Sequence, residues 1–127
     1  MSADDWSEWA RIAEQDWQLA VSLLRRKRPT PAHIAFLAQQ SAEKYLKALL
    51  LSRRIAFPKT HDLRALNALC EQAGIWTGFR GSDLLFLSDC AVTTRYPGNE
   101  PTLDEARQAV EIARAVRAFA RRFLTAR

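Results

Sequence analysis

Two short segments of the chain carry side chains that can hold a phosphate or move a proton. Segment 58–63 reads Pro-Lys-Thr-His-Asp-Leu and places a cation (Lys59), an imidazole (His61) and a carboxylate within four positions. Segment 93–97 reads Thr-Thr-Arg-Tyr-Pro and places Arg95 beside a phenol. Because imidazole titrates near neutral pH and Arg and Lys bind phosphate oxygens, both segments are candidates for phosphate binding or acid–base chemistry.

A third group of polar side chains interrupts an otherwise apolar stretch, residues 34–50. A helix that is apolar on most sides lies in the middle of a bundle or at a subunit interface, and its polar residues then need partners. We therefore expect four of them to bond across a helix contact or a dimer contact, namely Gln39, Gln40, Glu43 and Lys44. Glu43 and Lys47, four residues apart, are also spaced as an ordinary surface ion pair.

The spacing of apolar residues predicts five helices and no strand. The predicted helices span about residues 5–27, 31–53, 60–73 and 82–94, with a fifth beginning near residue 102. Thr60 is predicted to cap the third helix and Gly74 to end it, and residues 102–105 (Thr-Leu-Asp-Glu) form a capping box. With short connections and 127 residues, the chain is predicted to be one domain over residues 1–127, an all-α up-and-down bundle.

Strict antiparallel alternation of five helices would sort the cations into two groups. One end of the bundle would hold Arg53, Arg54, Lys59, His61, Arg95 and Tyr96. The other would hold only Arg and Lys, at positions 25–28, 121, 122 and 127, where helix C-termini attract cations without any ligand. The first group is therefore the predicted site, with Arg54, Lys59, Arg95 and Tyr96 binding phosphate and with His61 and Arg95 as the catalytic candidates.

The composition indicates an anionic partner and argues against several classes of protein. Lys plus Arg number 19 against 14 Asp plus Glu, and fifteen of these cations are Arg, the residue that binds phosphate bidentately. Many of the Arg side chains also suit solvated helix surfaces, which leaves nucleic-acid contact open. Without a membrane-length apolar run or a signal peptide, the chain is expected to lie in the cytoplasm, off the membrane. Cys70 and Cys90 are expected to be reduced thiols, and neither a metal site nor a cofactor is predicted.

Residues 38–50, 58–63 and 95–97 together resemble the HEPN domain, the higher eukaryote and prokaryote nucleotide-binding family. The likeness covers essentially the whole chain, from the Trp-rich first helix to the Ala-rich last one. It implies an up-and-down bundle that forms a homodimer, with the functional cleft near the dimer interface. It also implies RNA or nucleotide as ligand, and a minimal nucleotidyltransferase as partner in a toxin–antitoxin-like gene pair.

Many relatives in this family are metal-independent ribonucleases built on an Arg-x4-6-His motif. There the His acts as acid or base on the ribose 2′-hydroxyl, and the Arg holds the scissile phosphate. Counting from Arg95, the motif's His would fall at positions 100–102, which are Glu, Pro and Thr. Arg54 and His61 have a suitable spacing but lie in a different loop. The resemblance therefore implies a phosphate-binding HEPN domain, with a metal-independent endoribonuclease and a non-catalytic dimeric scaffold as alternatives.

Overall fold

The computed structural model describes residues 5–93 and 97–126, which form five helices. They are α1 (Trp6–Leu24), α2 (Pro31–Ser52), α3 (Leu63–Gln72), α4 (Gly81–Thr93) and α5 (Leu103–Thr125). The predicted all-α class and the predicted number of helices are confirmed for this part of the chain. None of the described helices is long and apolar enough to cross a membrane.

The second helix is the centre of the bundle. Fourteen of its 22 residues are buried, and it contacts each of the other four helices. Ile34, Leu46 and Leu50 are all fully buried, so the helix is apolar around most of its circumference because neighbours surround it. Such a helix was predicted to lie either in the middle of a bundle or at a subunit interface, and α2 lies in the middle of the bundle.

Local hydrogen bonds determine where the helices begin. Thr102 and Glu105 form the predicted capping box: each side chain accepts a hydrogen bond from the other's backbone N–H, at 3.1 and 2.9 Å. The predicted cap of α3 is wrong. Asp62 caps that helix by accepting from the backbone N–H of Arg64 (3.0 Å). The Thr60 hydroxyl instead accepts from the N–H of Asp62 (3.1 Å), within the preceding turn.

The helices do not alternate strictly, because α3 does not run the length of the bundle. It has ten residues and begins beside the middle of α2, where His61 contacts Glu43. As a result, α5 runs parallel to α2: the Arg53 guanidinium at the end of α2 lies 5.0 Å from the ring of Phe123, near the end of α5. The long helices α1, α2, α4 and α5 make the up-and-down bundle, and α3 belongs to the connection between α2 and α4.

The short α3 also changes which cations share an end of the bundle. Phe79, just before α4, packs against Phe119 near the end of α5 (ring centroids 5.7 Å apart), so α4 and α5 are antiparallel. The predicted grouping of the cations is therefore wrong. One end of the bundle carries Arg53, Arg54, Arg121 and Arg122, and the C-terminal end of α4 lies at the other end, with residues 25–28.

The turn that ends α2 has a backbone conformation that glycine usually adopts. Arg54 has φ +58°, and the N–H groups of Arg54 and Ile55 donate to the carbonyls of Leu51 (2.9 Å) and Leu50 (3.0 Å). Helix α3 ends in the same Schellman pattern, but with Gly74 at the corresponding position. A left-handed residue with a side chain is strained by roughly 1–2 kcal/mol, so Arg54 destabilises this turn.

We expect Arg54→Gly to raise the free energy of unfolding by about 1 kcal/mol, because glycine adopts the left-handed turn without strain. Urea unfolding followed by circular dichroism measures the change. Arg25→Gly is the matched control, since Arg25 ends α1 with a φ of −83° and glycine there relieves no strain. A loss of stability in Arg54→Gly equal to that in the control would contradict this account of the turn.

Candidate functional site

The turn before α3 is fastened to the middle of α2 through His61. Nδ1 of its ring lies 2.9 Å from Oε1 of Glu43, and its backbone carbonyl accepts from Nε2 of Gln39 (3.3 Å). The His61 side chain is nevertheless 78% exposed, whereas that of Glu43 is only 4% exposed. The exposed imidazole of His61 is therefore in contact with the buried carboxylate of Glu43.

The buried carboxylate of Glu43 is stabilised in its ionised form. Burial raises its pKa, but hydrogen bonds from Gln39, Lys47 and His61 outweigh burial and hold the pKa below its usual value. An ionised carboxylate only accepts hydrogen bonds, so the proton of the neutral His61 ring is on Nδ1. Nε2, at the exposed side of the ring, is then the nitrogen that accepts or releases a proton.

Lys47 is a buried cation beneath this site. Its Nζ lies 3.0 Å from Oε2 of Glu43, and its side chain is 9% exposed. The same ammonium lies over the rings of Trp9 (5.4 Å) and Phe57 (5.5 Å). The i,i+4 pair is therefore interior and not the surface pair that its spacing also allowed.

Two grooves meet at His61, each with a volume of about 530 Å³. The first, which we call the α4 groove, lies between α2, the start of α3 and the second half of α4. Its polar lining includes Gln40, Arg64, Ser88 and Asp89, and its apolar lining consists of Phe36, Leu85, Ala91 and Val92. Asp62 also lines it, so both cations and carboxylates face this groove.

The second groove, which we call the α1 groove, lies between α1, the end of α2 and residues 56–61. It is lined by Trp9, Lys47, Leu51, Ala56, Phe57, Lys59, Thr60 and His61. Among these described lining residues none is an Asp or a Glu. Lys47 and His61 both contact the buried carboxylate of Glu43, so Lys59 supplies the exposed positive charge of this groove. The α1 groove thus suits an anion better than the α4 groove does.

The structure brings together only some of the predicted site residues. Lys59 is exposed and lies in the turn with His61. Arg54 is not beside them: its N–H bonds to Leu51, roughly 12 Å along α2 from Glu43 at 1.5 Å per residue. Arg95 and Tyr96 lie outside the described residues. The pairing of Arg54 with His61 stays a prediction from sequence spacing alone.

The four polar residues of α2 all have partners within the chain. Gln39 donates to Glu43 (3.0 Å), Gln40 donates to Gln39 (2.8 Å), and Lys44 forms an ion pair with Asp16 of α1 (2.7 Å). These contacts fix the position of α2 against α1 and against the turn before α3. A role in a dimer contact stays a prediction.

Two residues of the site were missed in the sequence. Arg64 lies in the first turn of α3, three positions after His61, and lines the α4 groove with it, so its closeness in sequence was a usable signal. Lys47 offered no such signal, because its burial depends on Trp9 and Phe57 from other parts of the chain. Residues 5–93 and 97–126 bring no three His, Cys, Asp or Glu side chains together as a metal site.

The fold and the site define an all-α bundle whose central helix carries a buried carboxylate beneath an exposed histidine. The family model described as HEPN domain matches residues 6–123, nearly the whole chain, and the chain belongs to this family. Membership supports a nucleotide- or RNA-related function at the level of the family. No curated protein and no solved structure shows significant similarity to the chain.

Proposed function

We propose that this HEPN-domain protein binds phosphate groups of RNA or of a nucleotide at His61 and the cations beside it. The observation that carries the proposal is the exposed His61 imidazole held on buried Glu43. With Nδ1–H bonded to Glu43, the imidazolium form of this histidine presents Nε2–H as a donor to a phosphate oxygen. Family membership supports nucleotide or RNA as the source of the phosphate.

The cations that we assign to the site flank His61 in sequence. Lys59 precedes it by two residues and Arg64 follows it by three, and both are exposed. We propose that Arg95 binds a second phosphate oxygen and that Tyr96 stacks on or hydrogen-bonds to the ligand. Arg54 is not included, because it follows the C-terminal end of α2, whereas His61 contacts Glu43 in the middle of that helix.

Binding of a labelled single-stranded RNA, measured by fluorescence anisotropy at several salt concentrations, tests this proposal. We expect Lys59→Ala and His61→Ala to weaken binding. In Lys59→Ala the slope of log K against log salt concentration should also become less steep by about one. Lys27→Ala is the matched control, since it removes the same charge from an exposed position in the connection between α1 and α2. If Lys27→Ala and Lys59→Ala weakened RNA binding equally, the binding site would lie elsewhere. Negligible RNA binding by the wild type and by all of the variants would favour the non-catalytic dimeric scaffold.

The His61–Glu43 geometry also favours a second candidate, a metal-independent endoribonuclease. A carboxylate at Nδ1 fixes the ring tautomer, so that Nε2 can take the proton of a ribose 2′-hydroxyl. Incubation of the protein with RNA in excess chelator tests this candidate. Cleavage that disappears in His61→Ala would support it, with His61 and Arg95 as the catalytic residues. No cleavage at high protein concentration would exclude it and leave binding alone.

We also propose that the protein forms a homodimer. HEPN domains commonly dimerise, and Phe36, Leu85 and Val92 expose apolar surface along the α4 groove that a second copy would bury. Light scattering after size-exclusion chromatography should give twice the chain mass for the wild type and one chain mass for Leu85→Glu. A monomeric wild type would contradict this.

The biological setting that we propose is a toxin–antitoxin-like pair with a minimal nucleotidyltransferase, in the cytoplasm. Family membership is the support for this partner. If the pair exists, a neighbouring gene encodes a nucleotidyltransferase, and its product co-elutes with the protein. Co-expression should also relieve any growth defect that the HEPN protein causes alone. A neighbouring nucleotidyltransferase that neither binds nor relieves the defect would contradict the pairing.

A further inference from the structure

We propose that the α1 groove is a subsite for one base of a single-stranded nucleic acid whose phosphate lies at His61. The inference rests on the proposed function and specifies the part of the ligand next to the phosphate. Because His61 lines the groove, a ligand held at its ring would extend directly into it.

Two aromatic side chains form the apolar part of the subsite. The rings of Trp9 and Phe57 meet edge to face, with centroids 6.0 Å apart and planes at 84°. Lys47 lies over both rings while it is bonded to Glu43, so the aromatic pair is held by a buried cation and not by contacts at the surface alone. Such a preorganised aromatic pair suits a flat, polarisable ring more than a flexible aliphatic chain.

The polar part of the subsite is positive and lies next to the apolar part. Lys59, Thr60 and His61 follow Phe57 within four positions, and they line the same groove. An apolar ring with an anionic substituent, which is the chemistry of a nucleotide, matches this arrangement. The volume of about 530 Å³ falls in the roughly 300–1,000 Å³ range of small-ligand sites.

The α4 groove is the less suitable place for the same group. Asp62 and Asp89 line it together with Arg64, so its charges are mixed, whereas the described residues that line the α1 groove include no carboxylate. Its apolar wall is also the surface that we assign to the homodimer. We therefore place the base in the α1 groove, and stacking would make the subsite tolerant of base identity, because every base has a π-face.

Competition binding with two oligomers of equal length and charge tests the subsite. One is single-stranded oligouridylate, and the other has the same ribose-phosphate backbone without bases. We expect the wild type to bind the oligouridylate roughly tenfold more tightly. Phe57→Leu should remove this preference while it keeps an apolar contact with Trp9. Trp76→Leu, at an aromatic that is 74% exposed and lies outside the groove, is the matched control and should keep the preference.

A second variant protects the test against a loss of folding in Phe57→Leu. Ala56 is exposed at the rim, so Ala56→Leu should obstruct the groove without disturbing the core or adding an aromatic ring, and it should also remove the preference for bases. Equal binding of both oligomers by the wild type, with Lys59→Ala weakening both, would overturn the subsite and leave the phosphate site standing. Binding that depends on neither Lys59 nor His61 would overturn both proposals.

Discussion

Replacing Glu43 with Ala should lower the free energy of unfolding by about 3–5 kcal/mol, the largest single effect that we expect. The substitution leaves the ammonium of Lys47 in the interior without its carboxylate partner, which lies 3.0 Å away in the native protein. The contacts of Lys47 with Trp9 and Phe57 offset only part of this loss. Urea unfolding at neutral pH measures the change.

A double variant separates the lost ion pair from other effects of the substitution. In Glu43→Leu with Lys47→Met both charges are gone and the volume is similar, so most of the stability should return. His61 would still lack its carboxylate, and RNA binding by this folded variant should therefore resemble that of His61→Ala. A double variant as unstable as Glu43→Ala would contradict the assignment of the loss to an unpaired buried charge.

The second large effect concerns Glu14, which joins three helices. Its Oε1 accepts from the Tyr45 hydroxyl (2.6 Å) and from Nε of Arg117 (2.7 Å), and its Oε2 accepts from Nη2 of Arg117 (2.8 Å). Burial raises the pKa of Glu14, but the hydrogen bonds from Arg117, Tyr45 and Gln18 outweigh it and lower the pKa from 4.5 to about 2. Burial and the bond to Glu14 raise the pKa of Tyr45 to about 12, so its hydroxyl remains a donor at neutral pH.

Glu14→Gln should therefore destabilise the protein by about 3 kcal/mol at pH 7, the linkage value for a pKa lowered from 4.5 to about 2. Because the pKa is lower in the folded state, this contribution is complete well above pH 4.5 and is lost as the pH falls towards 2. The difference between wild type and variant should shrink to about 1 kcal/mol at pH 3.

Urea unfolding of both proteins at pH 7 and pH 3 measures this dependence. Glu111→Gln is the matched control, because Glu111 is exposed and its ion pair is with a helix neighbour, Arg114, at 3.3 Å. We expect a few tenths of a kcal/mol there, with little change between the two pH values. A Glu14→Gln effect that is the same at both pH values would contradict the role of its ionised carboxylate.

The helices and the family could be predicted from the sequence because their signals are local. Apolar spacing, Pro31 at the start of α2, Gly74 after α3 and the Thr102–Glu105 capping box each act within a few residues. The expectation that polar residues on an apolar helix need partners was also sound, since Glu43 bonds to side chains on both sides of the α2–α3 turn. Two of the three segments that suggested the HEPN family, residues 38–50 and 58–63, lie in and around this turn.

The ends of the bundle could not be predicted, because they depend on the path of the chain between helices. A ten-residue α3 that begins beside the middle of α2 reverses the direction expected for α4 and α5, and it separates Arg54 from His61. No local pattern reports where such a helix crosses its neighbour. The burial of Lys47 could not be predicted for the same reason, since the rings that cover it, Trp9 and Phe57, come from segments before and after α2.

The chain contains two histidines, and their NMR signals give the most direct test of where nucleic acid binds. His61 marks the proposed site beside the middle of α2. Exposed His33 marks the N-terminal end of that helix, roughly 15 Å along it from Glu43 at 1.5 Å per residue. Substitution of each assigns the two ring Cε1–Hε1 resonances, which are then followed during titration with single-stranded RNA. We predict that the His61 resonance shifts saturably and that the His33 resonance does not move. A shift confined to His33, or no shift of His61 at saturating RNA, would contradict the proposed phosphate site.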